Sequence, residues 1–308
     1  MTDQRPLLVG NESDAHLRTV ARRLRERDVE PVVFDADSLA EIGYSLSPHE
    51  FVVDGEVIAD EGRAWLRRAA PNRWGSGDRV GSVADVSFRA RVRLVAAIAR
   101  HGKRQWVTTI DALQAAEDRI HQLAAACRLG IETPPTIVSA DPAQIQRTLG
   151  GDAVIKPLAT GAFINAEGEP HAVLTTPLTT DVLASGDFGA APFVAQKRIS
   201  VRQHLRVVTA GSVATAAALE ADRWPLDWRA ADDAHHSWRR HEEPYVEAQA
   251  LRLATELCVG FSSQDWLVPE SGPPLFIDLN PAGQWMFLPP DVADPITEHI
   301  VNFLSGQP

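Results

Sequence analysis

The stretch FIDLNPAGQW, residues 276–285, sets Asp278 and Asn280 two positions apart in what reads as a buried β-strand. With a side-chain period of 2, both project to one face while Ile277 and Leu279 supply apolar bulk on the other. A carboxylate and an amide oxygen side by side suit a hard cation such as Mg²⁺, which takes one or two carboxylates together with waters and substrate phosphates. The same residues also suit a plain strand end, with Asn280-Pro281 opening a turn. What favours the metal is the segment QDWLVPESGPPLFIDLN, residues 264–280, which reads as a hairpin whose first strand places Asp265 opposite Asp278 and Asn280. Two facing carboxylates raise each other's pKa, whereas a shared cation turns the repulsion into coordination.

A metal of this kind calls for a polyphosphate, and AVIKPLATG, residues 153–161, offers Lys156 at the end of a buried strand ahead of a glycine-containing loop. Lys156 can reach an α- or β-phosphate, with amides near Thr160 and Gly161 assisting. The alternative is an ordinary strand-end lysine. No G-x-x-x-x-G-K-[ST] motif occurs, so this is not a P-loop. Arg119, on the interlobe side of its helix, and Arg206 in HLRVV are further candidates whose weight comes from the company they keep; alone, each reads as a solvated arginine. In AWLRRAAPNRW, residues 64–74, Arg67, Arg68 and Arg73 can meet an acidic peptide with Trp65 and Trp74 as anchors, or can form an arginine-rich face between lobes. DDAHHSWRRHEEP, residues 232–244, carries His235, His236 and His241, but its loop-like composition reads as a mobile solvated lid rather than a zinc site.

The whole chain bounds these readings. A length of 308 residues accommodates two or three lobes. The 44% hydrophobic and 23% charged composition is ordinary for a soluble fold, and no apolar run approaches a bilayer span. The start, MTDQRPLLVG, does not read as a secretion signal, so a cytoplasmic location is expected. Cys127 and Cys258 fall in amphipathic patterns and read as reduced thiols packed as small hydrophobes. A formal net charge of -11 opposes nucleic acid as a partner, so any anion site must be local and purpose-built.

The elements that must position the candidates read as an α/β succession. PLLVG, a helix over residues 13–27 and PVVFDAD form a βαβ start. FVVDGEVIA is hairpin-like around Asp54-Gly55, and GRAWLRRAAPNRWGSGDR, residues 62–79, reads as a functional loop or interface. A helix over residues 85–100 and the strand RQWVTT close a first lobe. A helix capped by Asp111 runs to Leu129 and stops at Gly130. TIVSA, a short helix capped by Asp141 with Pro142 behind it, and DAVIKPL continue the second lobe. FVAQKRISV, HLRVVTAG and SVATAAALEA read as antiparallel strands, followed by a helix over residues 244–259, the hairpin, and the terminal helix PITEHIVNFL.

In this order the motifs resemble the ATP-grasp fold, and more narrowly the ATP-grasp peptide maturases that build the ester and amide rings of graspetides such as the microviridins. The resemblance spans nearly the whole chain: AWLRRAAP, RIHQLAAACRLGIETPPT, VIKPLATG, VAQKRISVRQHLRVVTAG, LDWR and DWLV followed by FIDLNPAGQW. It implies an N-terminal α/β pre-ATP-grasp domain over residues 1–110, a central lobe over 111–190 and a C-terminal antiparallel-sheet lobe over 191–308 that carries the Mg²⁺ and ATP site. It also implies that Lys156 and Arg119 contact ATP phosphates, that the main chain of Gln196, Lys197, Arg198 and Ile199 forms the adenine hinge, and that Arg206 sits by the transferred phosphate, with Arg229 of LDWR beside it. Asp265, Asp278 and Asn280 would be the magnesium ligands.

Arg119 stands where a lysine is usual, Lys197 where a hinge glutamate is usual, His204 where an acidic residue is frequent, and Asp278 where glutamate is commoner. The activity implied is formation of an acylphosphate on an Asp or Glu side chain of a ribosomal precursor peptide and its displacement by a Ser, Thr or Lys side chain, with ATP and Mg²⁺ as cofactors and a leader plus an acidic, hydroxyl-rich core as partner. Related maturases tend to pair, so a homodimer is implied as well. Two rivals stand beside it: an ATP-grasp ligase joining two small molecules, and a degenerate nucleotide-binding protein, motivated by Lys197 and His204.

Overall fold

The computed structural model describes residues 5–35, 38–68, 81–158, 162–164, 169–179, 182 and 193–307. The chain opens with strand β1 (Leu7–Gly10), helix α1 (Ala15–Arg25) and strand β2 (Val32–Asp35), in parallel register from Leu7–Val32 to Gly10–Asp35. Asp14 caps α1 by accepting from the amides of His16 and Leu17, and Leu17, Val20, Ala21 and Leu24 form its buried stripe. A three-stranded antiparallel meander follows: β3 (Tyr44–Leu46), β4 (Phe51–Val53) and β5 (Glu56–Ile58).

The segment expected to be a functional loop starts instead as a core strand. β6 (Arg63–Leu66) lies between β1 and β7 (Gln105–Trp106) in the order β2-β1-β6-β7, with Ala64, Trp65 and Leu66 buried. Three consecutive apolar residues covered on both faces show no alternation, which is why the strand is hidden among its arginines. Helix α2 (Val83–Arg100), capped by Ser82, packs on this sheet through Val95, Ala96, Ile98 and Ala99.

The helix expected from Asp111 to Leu129 is two helices. Thr109 caps α3 (Ile110–Ala116), and Asp118 caps α4 (Arg119–Arg128) by accepting from the amides of Ile120 and His121. An aspartate offering its carboxylate to nearby amides competes with the i→i+4 ladder, so Asp118 restarts the helix rather than continuing it. The restart makes Arg119 the first helical residue, and Gln122 anchors α4 by donating to the Leu279 carbonyl at 2.7 Å and accepting from the Leu279 amide at 2.9 Å.

The central sheet has the order β12-β9-β13-β8, built from β8 (Thr136–Val138), β9 (Ala153–Pro157), β12 (Thr176–Pro177) and β13 (Phe193–Lys197). Between β9 and β12 lies the small pair β10 (Ala162–Ile164) and β11 (Pro170–Ala172). Helix α5 (Pro142–Leu149), capped by Asp141, covers the sheet with Ile145 and Leu149. β13 falls past the expected boundary at residue 190, yet it pairs with β9 and β8 of this sheet.

The C-terminal sheet is antiparallel, ordered β16-β15-β14-β17-β18, from β14 (Val201–Ala210), β15 (Val213–Glu220), β16 (Arg239–His241), β17 (Phe261–Pro269) and β18 (Leu275–Asn280). One face carries Leu205, Val207, Ala216, Ala218 and Trp266 against Val246, Ala250 and Leu253 of helix α6 (Pro244–Glu256). β15 is alanine-rich, a composition with weak strand preference; burial on both faces imposes the strand. The last helix, α7 (Pro290–Ser305), starts five residues earlier than PITEHIVNFL suggested, with Pro290 in its first turn and Pro295 inside it. Its Ile296, Ile300 and Leu304 join one hydrophobic cluster with Leu17 and Leu24 of α1, Trp65 of β6 and Val208 and Ala217 of the C-terminal sheet. The first and last lobes therefore share a core.

The two cysteines are free thiols, but both are exposed rather than packed. Cys127 is on the outer side of α4, and Cys258 has φ 56° past the end of α6. Among the described residues no helix is long and apolar enough to cross a membrane.

Candidate functional site

The face of the C-terminal sheet turned away from α6 gathers the chemistry. On β14, His204 and Arg206 share the parity of Val208 and Ala210, opposite to the face covered by α6. Arg206 is the direct partner of Asp265 on β17, and its Nη1 lies 3.0 Å from Asp265 Oδ1. Asp265 in turn is paired with Asp278 on β18, and Ser263 with Asn280. The next pair is Trp266 with Phe276, so Ile277 is an extra residue in β18. Phe276 rather than Ile277 then supplies the core bulk, with Leu279, while Asp278 and Asn280 stay together on the site face. The convergence of Asp265, Asp278 and Asn280 expected from the sequence is present in register.

Burial raises the Asp265 carboxyl above the usual range; Asp278 pushes it further up, and Arg206 opposes both. Asp278 Oδ1 accepts from Arg119 Nε at 3.1 Å, and Arg119 Nη1 donates to the Pro157 carbonyl at the end of β9. Arg119 thus links the central sheet to β18, on the interlobe side as expected. Asn280 is exposed and accepts from the Ala282 amide at 2.9 Å, leaving a second lone pair on its oxygen. Two carboxylates and an amide oxygen on one face are a hard-oxygen donor set of the kind Mg²⁺ takes together with phosphate oxygens. No group of three or more His, Cys, Asp or Glu able to hold a metal occurs among the described residues, so the histidines of residues 232–244 form no zinc centre.

Lys156 lies on the central sheet facing these carboxylates. Its Nζ donates to Gln196 Oε1 at 3.0 Å, and Gln196 Nε2 donates to Thr136 Oγ1 at 2.9 Å. Burial lowers the Lys156 amine from the ordinary lysine value; Asp278, Asp265 and Asp227 work the other way, and Arg119 adds to the lowering. This partly buried amine is tethered by a neutral amide, and its remaining donors can serve an anion. The loop at Thr160 and Gly161 lies outside the described residues, as do Arg73 and Trp74.

At the hinge segment, Gln196 is buried in β13, and the amides of Lys197 and Arg198 donate to the carbonyls of Pro135 at 2.9 Å and Asp152 at 3.0 Å. The Lys197 and Arg198 side chains are exposed, and Ile199 is half-buried.

Arg229 is exposed but fixed: its Nε and Nη2 donate to the two carboxylate oxygens of Asp227 at 2.8 and 2.5 Å. Those bonds raise the guanidinium pKa, with Asp265 and Asp278 adding to it. Burial alone would raise Asp227, yet the hydrogen bonds from Arg229 and the Thr175 amide carry it to about 2. Asp227 was not singled out by the sequence; an aspartate two positions before an arginine, able to grip it bidentately, is the signal. His204 belongs to the same group: burial lowers its pKa, Lys156 adds to the lowering, and Asp227 opposes it.

The segment expected to be a mobile lid is anchored instead. Trp238 is 1% exposed and packs edge-on to Trp228 at 5.2 Å, while the His235 ring lies 4.9 Å from Trp228 and 5.6 Å from Phe287. The Arg206 guanidinium sits 5.9 Å from the Trp228 ring and 5.7 Å from the Phe287 ring. Aromatic rings scattered at 228, 235, 238 and 287 form the wall that orients Arg206. The polar letters between them masked this role.

Arg67 does not take the exposed position expected of it. It is not a surface contact for a peptide: its side chain is 1% exposed and holds Asp14 and the Ala282 carbonyl, because the strand β6 directs it inward between lobes. Arg68 is partly buried with Nε 3.9 Å from Asp14 Oδ2. Trp65 is buried in the shared core rather than offered as an anchor.

No known family profile and no curated protein matches the sequence. Solved structures do. Macrocyclase MdnC from Microcystis aeruginosa MRC, bound with precursor peptide MdnA, matches with a TM-score of 0.79 at 20% identity over 98% of this chain and 99% of that one. The ATP-grasp ligase PsnB, complexed with a minimal precursor, matches at 0.79 and 22% identity over 99% of both chains. A Chryseobacterium gregarium RiPP-associated ATP-grasp ligase, in complex with ADP and a leader and core peptide, matches at 0.81 and 18% identity over 98% of this chain and 96% of that one. The described residues have the ATP-grasp fold.

Proposed function

We propose that this protein is an ATP-dependent, ADP-forming ligase that cross-links side chains of a ribosomal precursor peptide. The observation that carries the reading is the register that brings Arg206, Asp265, Asp278 and Asn280 onto one sheet face opposite Lys156 and Arg119. Cations and carboxylates alternate there, as phosphoryl transfer by positioning and charge neutralisation requires. The full-length likeness to three ligases seen with precursor peptides supports a peptide substrate, and PsnB is also seen with Mg and ADP.

In this reading Lys156 and Arg119 bind the nucleotide phosphates, and the main chain of residues 196–199 meets the adenine. Asp265, Asp278 and Asn280 hold Mg²⁺, which when bound screens the phosphate charge. Arg206, beside the rings of Trp228 and Phe287, faces the transferred phosphoryl group, and Arg229, braced by Asp227, steadies the acceptor carboxylate. An Asp or Glu side-chain oxygen attacks the γ-phosphorus and ADP leaves. A Ser or Thr hydroxyl or a Lys amine then displaces phosphate, losing one proton as the ester or amide forms. We place this activity in the cytoplasm, with a homodimer as the working assembly.

The test is to incubate the protein with Mg·ATP and the peptide encoded beside its gene, recording peptide mass and nucleotide together. The reading expects one water lost per bond with matching ADP, abolished by Asp278→Ala. ADP without a change in peptide mass would favour a small-molecule acceptor, and no ADP at all would favour a binder without turnover.

A further inference from the structure

The loop after the candidate metal strand is tied to the N-terminal lobe by buried groups that the proposed chemistry does not use. Arg67 Nη1 donates to the Ala282 carbonyl at 2.6 Å, and its Nε lies 3.3 Å from Asp14 Oδ2. The guanidinium carbon is 5.6 Å from the Trp285 ring centroid. The His16 ring lies 4.3 Å from Trp285, with Nε2 accepting from the Trp285 amide at 3.1 Å and Nδ1 3.1 Å from Asp14 Oδ1. This network assigns His16 as the neutral Nδ1–H tautomer donating to Asp14.

On its other side the same loop meets Asn280. The Ala282 amide donates to Asn280 Oδ1 at 2.9 Å, and the Gly283 amide closes the turn on the Asn280 carbonyl at 3.2 Å. A Cβ on Gly283 would come within 2.4 Å of Ser263 Cβ, so the turn sits directly on β17. The Ala282 residue is thus held at its carbonyl by Arg67 while its amide holds the Asn280 side chain.

A guanidinium this deeply buried, with Nη2 lacking a partner among the described residues, is a costly brace for a turn. An apolar side chain would pack on Trp285 at lower cost but could not orient a carbonyl. We infer that Arg67, backed by Asp14 and His16, is a positioning residue: through Ala282 it fixes the Asn280 oxygen, so the N-terminal lobe sets one ligand of the metal in the C-terminal lobe. The inference rests on the reading of Asn280 as a ligand of a metal nucleotide.

The test uses the full chain and Mn²⁺ as probe, with binding followed by electron paramagnetic resonance in the presence of ADP. Arg67→Lys and Asn280→Ala should each weaken Mn²⁺ binding by roughly tenfold, the scale of losing an outer-shell partner. The double variant should bind no more weakly than Asn280→Ala alone, because the two residues act through one ligand. Additive losses would show that Arg67 matters only to the fold and would overturn the inference. Should Arg67→Lys fail to fold, Asp14→Asn keeps the cap on α1 while removing the charge behind Arg67, and the same non-additivity is expected. Mn²⁺ binding absent from the unaltered protein would overturn the proposed function and this inference with it; binding with an additive cycle would overturn the inference alone.

Discussion

Asp265 faces Asp278 directly across the β17–β18 ladder, and the next pair, Trp266 with Phe276, leaves Ile277 unmatched between them. The bulge lets Phe276 and Leu279 both face the α6 side while Asp278 keeps to the side of Arg206. Two carboxylates held this close, one of them raised by burial, cost stability in the absence of a cation.

Asp278→Asn should therefore leave the thermal midpoint unchanged or raised, since the repulsion on Asp265 is relieved and only a half-exposed pair with Arg119 is lost. Mg²⁺-dependent ADP release should fall by roughly two orders of magnitude, the scale of losing one electrostatic element of a catalytic site. Calorimetry and an ADP assay on one preparation check both, and a large drop in midpoint would contradict the placement.

Arg206 and Asp265 form a largely buried pair at 3.0 Å. Removing the cation alone, in Arg206→Met, should cost about 2–3 kcal/mol by leaving Asp265 without its partner. Urea unfolding should show most of that cost recovered in Arg206→Met/Asp265→Asn. If the double variant is less stable than the single one, the pair is not the main interaction of Asp265.

Lys156 is tethered by Gln196 and lowered by burial. Lys156→Met should weaken ADP binding by roughly tenfold or more, about the worth of one charge-assisted hydrogen bond. Titration calorimetry that finds affinity unchanged would remove Lys156 from the nucleotide site.

Burial holds His16 below the ordinary histidine value of about 6.5. The unfolded chain then binds more protons than the folded one as pH falls through that value, so the stability His16 contributes is complete above about pH 6.5 and is lost below it. His204 adds a slope of the same sign. His16→Gln should lower the midpoint overall yet reduce its fall between about pH 7 and 5.5. Equal slopes in the two proteins would contradict a neutral His16.

Much of this was legible in the sequence. Period-2 alternation exposed Asp278 and Asn280, and the hairpin supplied Asp265, because one face of β18 is core and the other is site. The parity change at Ile277 was not legible, since a bulge leaves no mark in the hydrophobic pattern. β6 was missed because a strand covered on both faces does not alternate, and its last residue runs directly into Arg67 and Arg68. The break at Asp118 was hidden because no glycine or proline marks it between α3 and α4. The Arg206 wall draws on residues 228 and 287, far apart in sequence, so no local pattern foretells it.

The measurement that bears most directly on the central claim follows the carboxylate oxygen. A precursor peptide whose Asp and Glu side chains carry ¹⁸O would be turned over with unlabelled ATP, and the released phosphate analysed by mass. A carboxylate that attacks the γ-phosphorus leaves one of its oxygens behind, so the account predicts one ¹⁸O in phosphate for each bond formed. Cross-linked peptide accompanied by unlabelled phosphate would contradict it.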